Sequence, residues 1–326
     1  MSERPADPAV VTPGTWSVDP LQVDDAASLL ALCALALPDE VLTVDDLEGA
    51  VLAPPDESDE LAAGADPPLV RCAAAATLAC RDDDGELVGA VSVSLTDVVG
   101  IRSAHLQLLV VHPARRLRGL ARTLVGAAES WALAHGSTTL TVGAGAPFYL
   151  FTGVDARWTE ALSCFEALGY TRVDTELDLV CPTEPGSRSS ARSAPARGVD
   201  VAHVADDRGA LELDHWVRVH HPHWAAEFAR AAAAGTVVVA HSEEQLLGAA
   251  AHSVSRFGVI GPVAVAPASQ GCGVGARLMA AVLQDLSVAG LRNAEIAWTS
   301  TVRFYARTCG ARVGRASVVL RRELGA

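Results

Sequence analysis

Gln107-Leu108-Leu109-Val110-Val111-His112-Pro113-Ala114-Arg115-Arg116-Leu117-Arg118-Gly119-Leu120-Ala121 is the stretch from which the fold can be read. It opens as an apolar run suited to a buried strand, and Pro113 then stops the strand's hydrogen bonding. A basic loop leads to Gly119, after which apolar residues fall at 120, 124, 127 and 131, a helical spacing. The same order returns in Val263-Ala264-Val265-Ala266-Pro267-Ala268-Ser269-Gln270-Gly271-Cys272-Gly273-Val274-Gly275. Pro113 and Pro267 lie 154 residues apart, and so do Gly119 and Gly273, Ala121 and Gly275, and Gly136 and Gly290. One offset kept across a strand, a loop and a whole helix implies a duplicated domain.

The pattern extends outward from each copy. In the first half, helices are expected at 26–37 and 44–52, and strands at 15–21, 70–81, 87–95, 106–111 and 139–142. A helix over 119–135 ends at Gly136, and a helix over 159–168 leads to a last strand at 170–180. Residues 53–68, acidic and rich in Pro and Gly, read as a loop or lid. The second half repeats the order: a strand at 200–204, helices at 211–220 and 224–234, and strands at 235–240, 246–254 and 259–265. A helix at 275–289, a strand at 294–298, a helix at 302–309 and a strand at 316–321 complete it. These patterns divide the chain into a polar tail (1–14), a first domain (15–181), a Pro/Ser/Arg-rich linker (182–198) and a second domain (199–326). The fold class expected is α/β (α+β), each domain a mixed, mostly antiparallel sheet flanked by helices.

With 326 residues, half of them apolar, the chain can build two ordinary cores. All 25 basic residues are arginine, a usage that fits a GC-rich genome. Residues 1–183 hold 27 acids and 10 arginines, net −17; residues 184–326 hold 12 acids and 15 arginines, net +3. An overall charge of −14 argues against nucleic acid as the partner. The seven cysteines have no metal-knuckle spacing and sit mostly in apolar runs, as in a reducing cytosol. No apolar run reaches the ~18 residues of a membrane span. A soluble cytoplasmic protein, monomer or homodimer, is expected.

A glycine loop running into a helix N-terminus offers unpaired N–H groups and the positive end of the helix dipole, which suits a pyrophosphate. Gly119 and Gly273 allow close approach; Arg116 or Gln270 opens each loop, and Arg115 and Arg118 add charge to the first. At these residues the sequence resembles the GNAT acetyltransferase superfamily, whose loop pattern is matched by Arg116-x-x-Gly119-x-Ala121 and Gln270-x-x-Gly273-x-Gly275. The resemblance covers nearly the whole chain and extends to tandem-domain bacterial members, some of which acetylate amino sugars. It implies acetyl-CoA as co-substrate. Arg116, Arg118, Gly119, Leu120 and Ala121, and Gln270, Gly271, Cys272, Gly273, Val274 and Gly275, would hold the pyrophosphate. Leu109 and Val111, and Val263 and Val265, would pair with the pantetheine arm.

The resemblance also implies a tyrosine on the last helix as general acid. The second half offers Tyr305, one residue further from Gly310 than the family run; the first half has Phe165, which carries no proton. A base is needed as well, and the notable carboxylate is Glu295, alone in the apolar run 294–298. Asp214, His221 and His223 are the alternatives. Where a glutamate base would stand before each loop the chain has Gln107 and Gly261. The run His215–Trp224 falls where the family's first two helices wall the acceptor site, which makes Trp216, His221 and His223 substrate candidates. Tyr149, in the aromatic insert 147–155, is a fourth. No metal is expected. The reading is transfer of an acetyl group to a primary amine of a small molecule, centred on the second half. The alternatives are a protein acetyltransferase and a degenerate acetyl-CoA sensor or scaffold.

Overall fold

The computed structural model describes residues 16–52, 71–98, 101–147, 149–184, 198–243 and 245–325. The expected tail, the 53–68 loop, most of the linker and Phe148 lie outside the described residues. The first half contains β1 (Asp19–Pro20), α1 (Ala26–Ala36), α2 (Val44–Leu47), β2 (Arg71–Arg81), β3 (Leu87–Val98), β4 (Ile101–Val111), α3 (Leu120–Ala134), β5 (Thr139–Val142), β6 (Val154–Asp155), α4 (Thr159–Ala167) and β7 (Thr171–Pro182). The second contains β8 (Asp200–His203), α5 (Asp207–His220), α6 (Ala225–Ala234), β9 (Val237–Ser242), β10 (Gln245–His252), β11 (Val259–Val265), α7 (Val274–Val288), β12 (Asn293–Ile296), α8 (Val302–Cys309) and β13 (Arg312–Glu323). Several elements outrun the sequence expectation. β4 begins at Ile101 rather than 106, because its polar first residues pair with β3 in a long hairpin. α5 begins at Asp207, where the Asp206 carboxylate caps Gly209 N. The expected 15–21 strand is described only as a two-residue pairing with β2, and 44–52 is a short helix that widens after Leu47.

Among the described residues, all thirteen strands join one sheet, in the order β1-β2-β3-β4-β5-β13-β7-β12-β11-β10-β9-β8, with β6 on β13. The halves exchange strands. β5 of the first half pairs with β13, the last strand of the second (Val142↔Leu320). β12 of the second half pairs with β7, the last strand of the first (Ala294↔Cys181). β7 and β13 themselves form an antiparallel ribbon from Thr171↔Arg321 to Val180↔Arg312. The division at 182–198 separates the chain's halves in sequence but not their sheets.

The cores follow the exchange. One face of the first half packs Leu120, Leu124 and Val125 of α3 and Phe165 of α4 over Val91, Leu106 and Leu140, and Val318 and Leu320 of β13 belong to the same cluster. The matching face of the second half packs Leu278, Met279 and Val282 of α7 over Ile260 and Ile296, together with Leu179 and Cys181 of β7. The opposite face carries α1 and α2 over Ala90, Leu108 and Val110, and α5 and α6 over Val239, Ala249 and Ala264. No helix among the described residues is long and apolar enough to cross a membrane.

Leu320, wholly buried at the junction of β5, β13 and β7, is the residue most exposed to a test of this architecture. Leu320→Ala should cost about 3 kcal/mol. Urea unfolding, followed by near- and far-UV circular dichroism, should stay a single coincident transition rather than lose one half first.

Candidate functional site

Two slots open in the sheet at positions related by the same 154-residue offset. β4 and β5 run parallel as far as Leu106↔Val142, and β11 and β12 as far as Ile260↔Ile296. Beyond those pairs β4 and β11 continue alone on that side. Each is also irregular at its next residue. Gln107 is an extra residue against β3, between Ser92↔Leu108 and Val93↔Leu106, so Leu106 faces α3 while Leu108 faces α1. In β11 the register shifts across Gly261 and Pro262, and Ile260 and Ala264 face opposite layers.

The strand ends lead into matched loops. Gly119 and Gly273 take left-handed φ of 82° and 89° as the N-caps of α3 and α7, and a Cβ at Gly119 would meet no atom within 4 Å. Leu120 and Val274 anchor the first turns in the core, leaving the first amides of each helix unpaired and facing outward. Arg116 Nε and Gln270 Nε2 each reach back to the strand-end carbonyl, Val111 O and Val265 O, at 3.4 Å. Arg116 also ties down Ala36 O of α1. Arg115 is drawn away to Asp82 at 2.8 Å, whereas Arg118 stays exposed at the loop. Cys272 is exposed on the second loop. Gly271 is left-handed at φ 76°, and its counterpart Leu117 takes φ 60° with its side chain in solvent. Leu109, Val111, Val263 and Val265 line the slots from the α3 and α7 side, partly buried. A side chain on Gly275 would press on Phe304 at 3.1 Å, so Phe304 floors the second slot. Tyr305 lies next to it on α8, buried, bonded to the Thr301 side chain at the helix start; burial pushes its pKa up to about 12, so it is protonated at neutral pH.

The slots differ in what fills them. In the first half the chain turns back on β4 after β5: Gly143 N bonds Leu106 O at 2.9 Å and the His105 ring bonds Gly143 O at 3.2 Å. The Gln107 side chain, buried, spans the gap to Ser94 Oγ and to Ala144 O, both at 2.9 Å. Leu150 and Phe151 of the insert then pack with Leu108 and Val110 under α1 and α2. In the second half the chain after β12 turns the other way, toward β7: Trp298 N bonds Asp178 Oδ1 at 2.9 Å and Thr299 N bonds Leu177 O at 3.2 Å. Gly261 stands where Gln107 stands, and a Cβ placed on it meets no atom within 4 Å.

A narrow crevice on the α5–α6 face lies beside the second slot, lined by Tyr149, Thr152, Asp178, Ser255, Glu295 and Ala297 among others. Glu295 lies on this face, paired in register with Val259 and Val180, and forms an ion pair with Arg256 at 2.8 Å. Arg256 also holds buried Glu40 of the first half at 3.1 Å, and Glu40 holds Arg315 at 2.8 Å. Burial pushes Glu40 up, against the pull of Arg315 and Arg256. Asp178, on the strand lent by the first half, accepts hydrogen bonds from Trp298 N, Thr152 Oγ1 and Ser317 Oγ; burial pushes its pKa up too. Tyr149 comes from the first half's insert yet sits edge-on to Trp298, ring centroids 5.4 Å apart.

At the α5–α6 corner, His221 lies against the backbone of Val265, the second slot's strand end, and burial lowers its pKa, which keeps it neutral. Its ring lies 5.7 Å from Trp216 and 5.3 Å from Trp224, and 6.2 Å from His223. Trp216 Nε1 and His221 Nε2 are buried without a hydrogen-bond partner. Asp214 is turned to Arg218 at 2.8 Å. The structure therefore gathers Val263, Val265, the loop 270–275, Tyr305 and His221 around one slot, with Glu295 and Tyr149 in the adjoining crevice. It also brings in Glu40, Asp178, Arg256 and Trp298, single residues that no spacing in the sequence singles out.

The profile of the acetyltransferase (GNAT) family matches residues 47–149 and 204–311. Among solved structures, a GCN5-related glucosamine N-acetyltransferase region of a fungal multi-domain GH3 β-N-acetylglucosaminidase superposes with a TM-score of 0.70 at 19% identity. That match covers 98% of this chain but 40% of the neighbour, so this chain spans well under half of it. A tandem GNAT protein from the clavulanic acid biosynthesis pathway gives 0.69 at 20% identity, over 95% of this chain and 99% of that one. A GCN5-related N-acetyltransferase from Sphaerobacter thermophilus gives 0.59 at 17%, over 96% and 97%. No curated protein sequence matches significantly.

Burial lowers the His105 pKa to about 4, whereas an unfolded chain takes up that proton near pH 6.5. Stability from this group is present above pH 6.5 and is lost as the pH falls toward 4. Urea midpoints at pH 7 and pH 5 should therefore differ more for the natural chain than for His105→Gln.

Proposed function

Because the chain belongs to the acetyltransferase (GNAT) family, we propose that its second half transfers an acetyl group from acetyl-CoA to the primary amine of a small molecule, an amino sugar being the favoured acceptor. The observation that carries this is the contrast between the two slots: open space beside Gly261, a side chain bonded across the gap at Gln107. The residues fit the donor. The left-handed Gly271 and Gly273 and the first amides of α7 form an anion cradle, and the free side of Val263–Val265 offers backbone groups to an amide-bearing arm. Bound there, acetyl-CoA supplies an activated acetyl group.

The chain's own groups divide the remaining work. A backbone N–H on the free side of Val263–Val265 would stabilise negative charge developing on the acetyl oxygen. Tyr305 would protonate the leaving sulfur; its hydroxyl is bonded to the Thr301 side chain at the start of α8. Phe304 excludes water from the slot floor. The amine approaches from the α5–α6 face and must arrive neutral. Glu295 lies on that face, and its ion pair with Arg256 ties its availability as base to that arginine. The glucosamine acetyltransferase fold neighbour supports the acceptor class. The first half keeps its loop but has its slot and acceptor face filled by its own insert, which favours a structural or cofactor-gripping role there.

Two variants test this. Tyr305→Phe should lower kcat about a hundredfold with acetyl-CoA affinity by calorimetry unchanged; undiminished kcat would remove Tyr305 from the reaction. Gly273→Asp places a carboxylate in the anion cradle and should abolish turnover, and turnover surviving it would move the reaction to the first half.

A further inference from the structure

Position 298 is a second place where the two halves differ near the slot. The chain kinks into the left-handed region after both β5 and β12, at Ala144 (φ 57°) and, 154 residues on, at Trp298 (φ 50°). The kink belongs to the repeat; the side chain does not. Ala144 is buried and its carbonyl is taken by Gln107. Trp298 is 39% exposed. A tryptophan is a poor choice for this backbone conformation, which favours glycine. It is nonetheless held there from two sides. Asp178 takes its N–H at 2.9 Å, and Tyr149 packs edge-on against its ring at 5.4 Å. Both supports come from the first half, one on the strand lent to the second half's sheet and the other on the insert. Trp298 stands two residues past the last β11–β12 pair; its sequence neighbour Ala297 and the Tyr149 ring it packs against both line the crevice.

We propose that Trp298 is the acceptor platform of the second half, selecting an amine carried on a ring with an apolar face, such as the pyranose of an amino sugar, over an open-chain amine. A flat aromatic surface buries such a face well and gains little from a flexible chain. Asp178 and Tyr149 are positioning residues: they fix the indole's angle without being required to touch the acceptor. This rests on the reading of the second half as the reaction centre, and it deepens that reading by naming what discriminates between acceptors.

The test uses the full chain, with D-glucosamine and ethanolamine as probes. Calorimetry of glucosamine binding needs no turnover. Trp298→Gly, which suits the left-handed backbone, should weaken glucosamine binding about tenfold or more, and Trp298→Phe should recover most of that loss. In turnover with acetyl-CoA, the glucosamine-to-ethanolamine ratio of kcat/KM should fall about tenfold in Trp298→Gly. An equal fall for both acceptors, unchanged glucosamine affinity in Trp298→Gly, or no glucosamine binding to the natural chain would each overturn the proposal. Binding that depends on Trp298 with no acetylation would keep the platform and sink the proposed reaction. If Trp298→Gly fails to fold by circular dichroism, Trp298→Leu replaces it, with the same outcomes required.

Discussion

The pairing of β7 with β13 is the interaction on which the rest depends. Each of these strands is the last of its own half and lies beside the fifth-position strand of the other. Backbone hydrogen bonds in a sheet are satisfied only by a neighbouring strand. Neither half can therefore close its sheet from its own residues: β5 needs β13, and β12 needs β7. The cores inherit the arrangement, with Leu320 under α3 and α4 and Leu179 under α7 and α8. The same exchange carries Asp178 from the first half to the edge of the second half's slot.

The ribbon fixes the order of the halves, and buried charge fixes their alignment. Glu40 lies between Arg256 and Arg315, with Glu295 and Asp155 as outer partners at 2.8 and 3.7 Å. The arginines also sit over aromatic rings, Arg256 over Phe151 at 5.1 Å and Arg315 over Trp158 at 5.8 Å. Removing such groups from water costs several kcal/mol per ion, which their attraction repays only with good geometry. We read the network as a register device: a small slip between α2 and the β10–β11 turn would strand a buried charge. Two further bonds cross the same seam, Phe257 N to Asp46 and Arg230 to Gly49 O.

Much of this was legible in the sequence where the signal was local or periodic. The 154-residue offset gave the duplication, and the glycine loops gave both helix starts to within one residue; the left-handed turns at Gly119 and Gly273 emerged only in the structure. The Gln107/Gly261 difference was visible as residue identity, but its meaning required the slot. What stayed hidden is non-local. Strand exchange leaves no local trace, because β7 and β13 have the same alternation whichever sheet receives them. Glu295 read as a lone carboxylate in an apolar strand, since its partner Arg256 lies 39 residues away with no periodic relation to it. Asp178 ends an alternating run with Asp174 and Glu176, and Glu40 follows Asp39, so nothing local sets either buried acid apart from its neighbours. Trp298 looked like the end of a strand and is instead a left-handed turn residue.

The exchange also sets an order on how the molecule can come into being. Val142 and its partner Leu320 are separated by most of the second half. While the chain is made from its N-terminus, β5 stays an open edge until β13 has followed. β7 meanwhile has neither of its eventual neighbours, β12 or β13. Unpaired edges of this kind invite pairing with other chains, and contacts of such long sequence separation form slowly. The two halves, so alike in sequence pattern, thus cannot fold one after the other as independent beads; the native sheet of the first is completed only by the last strand of the second.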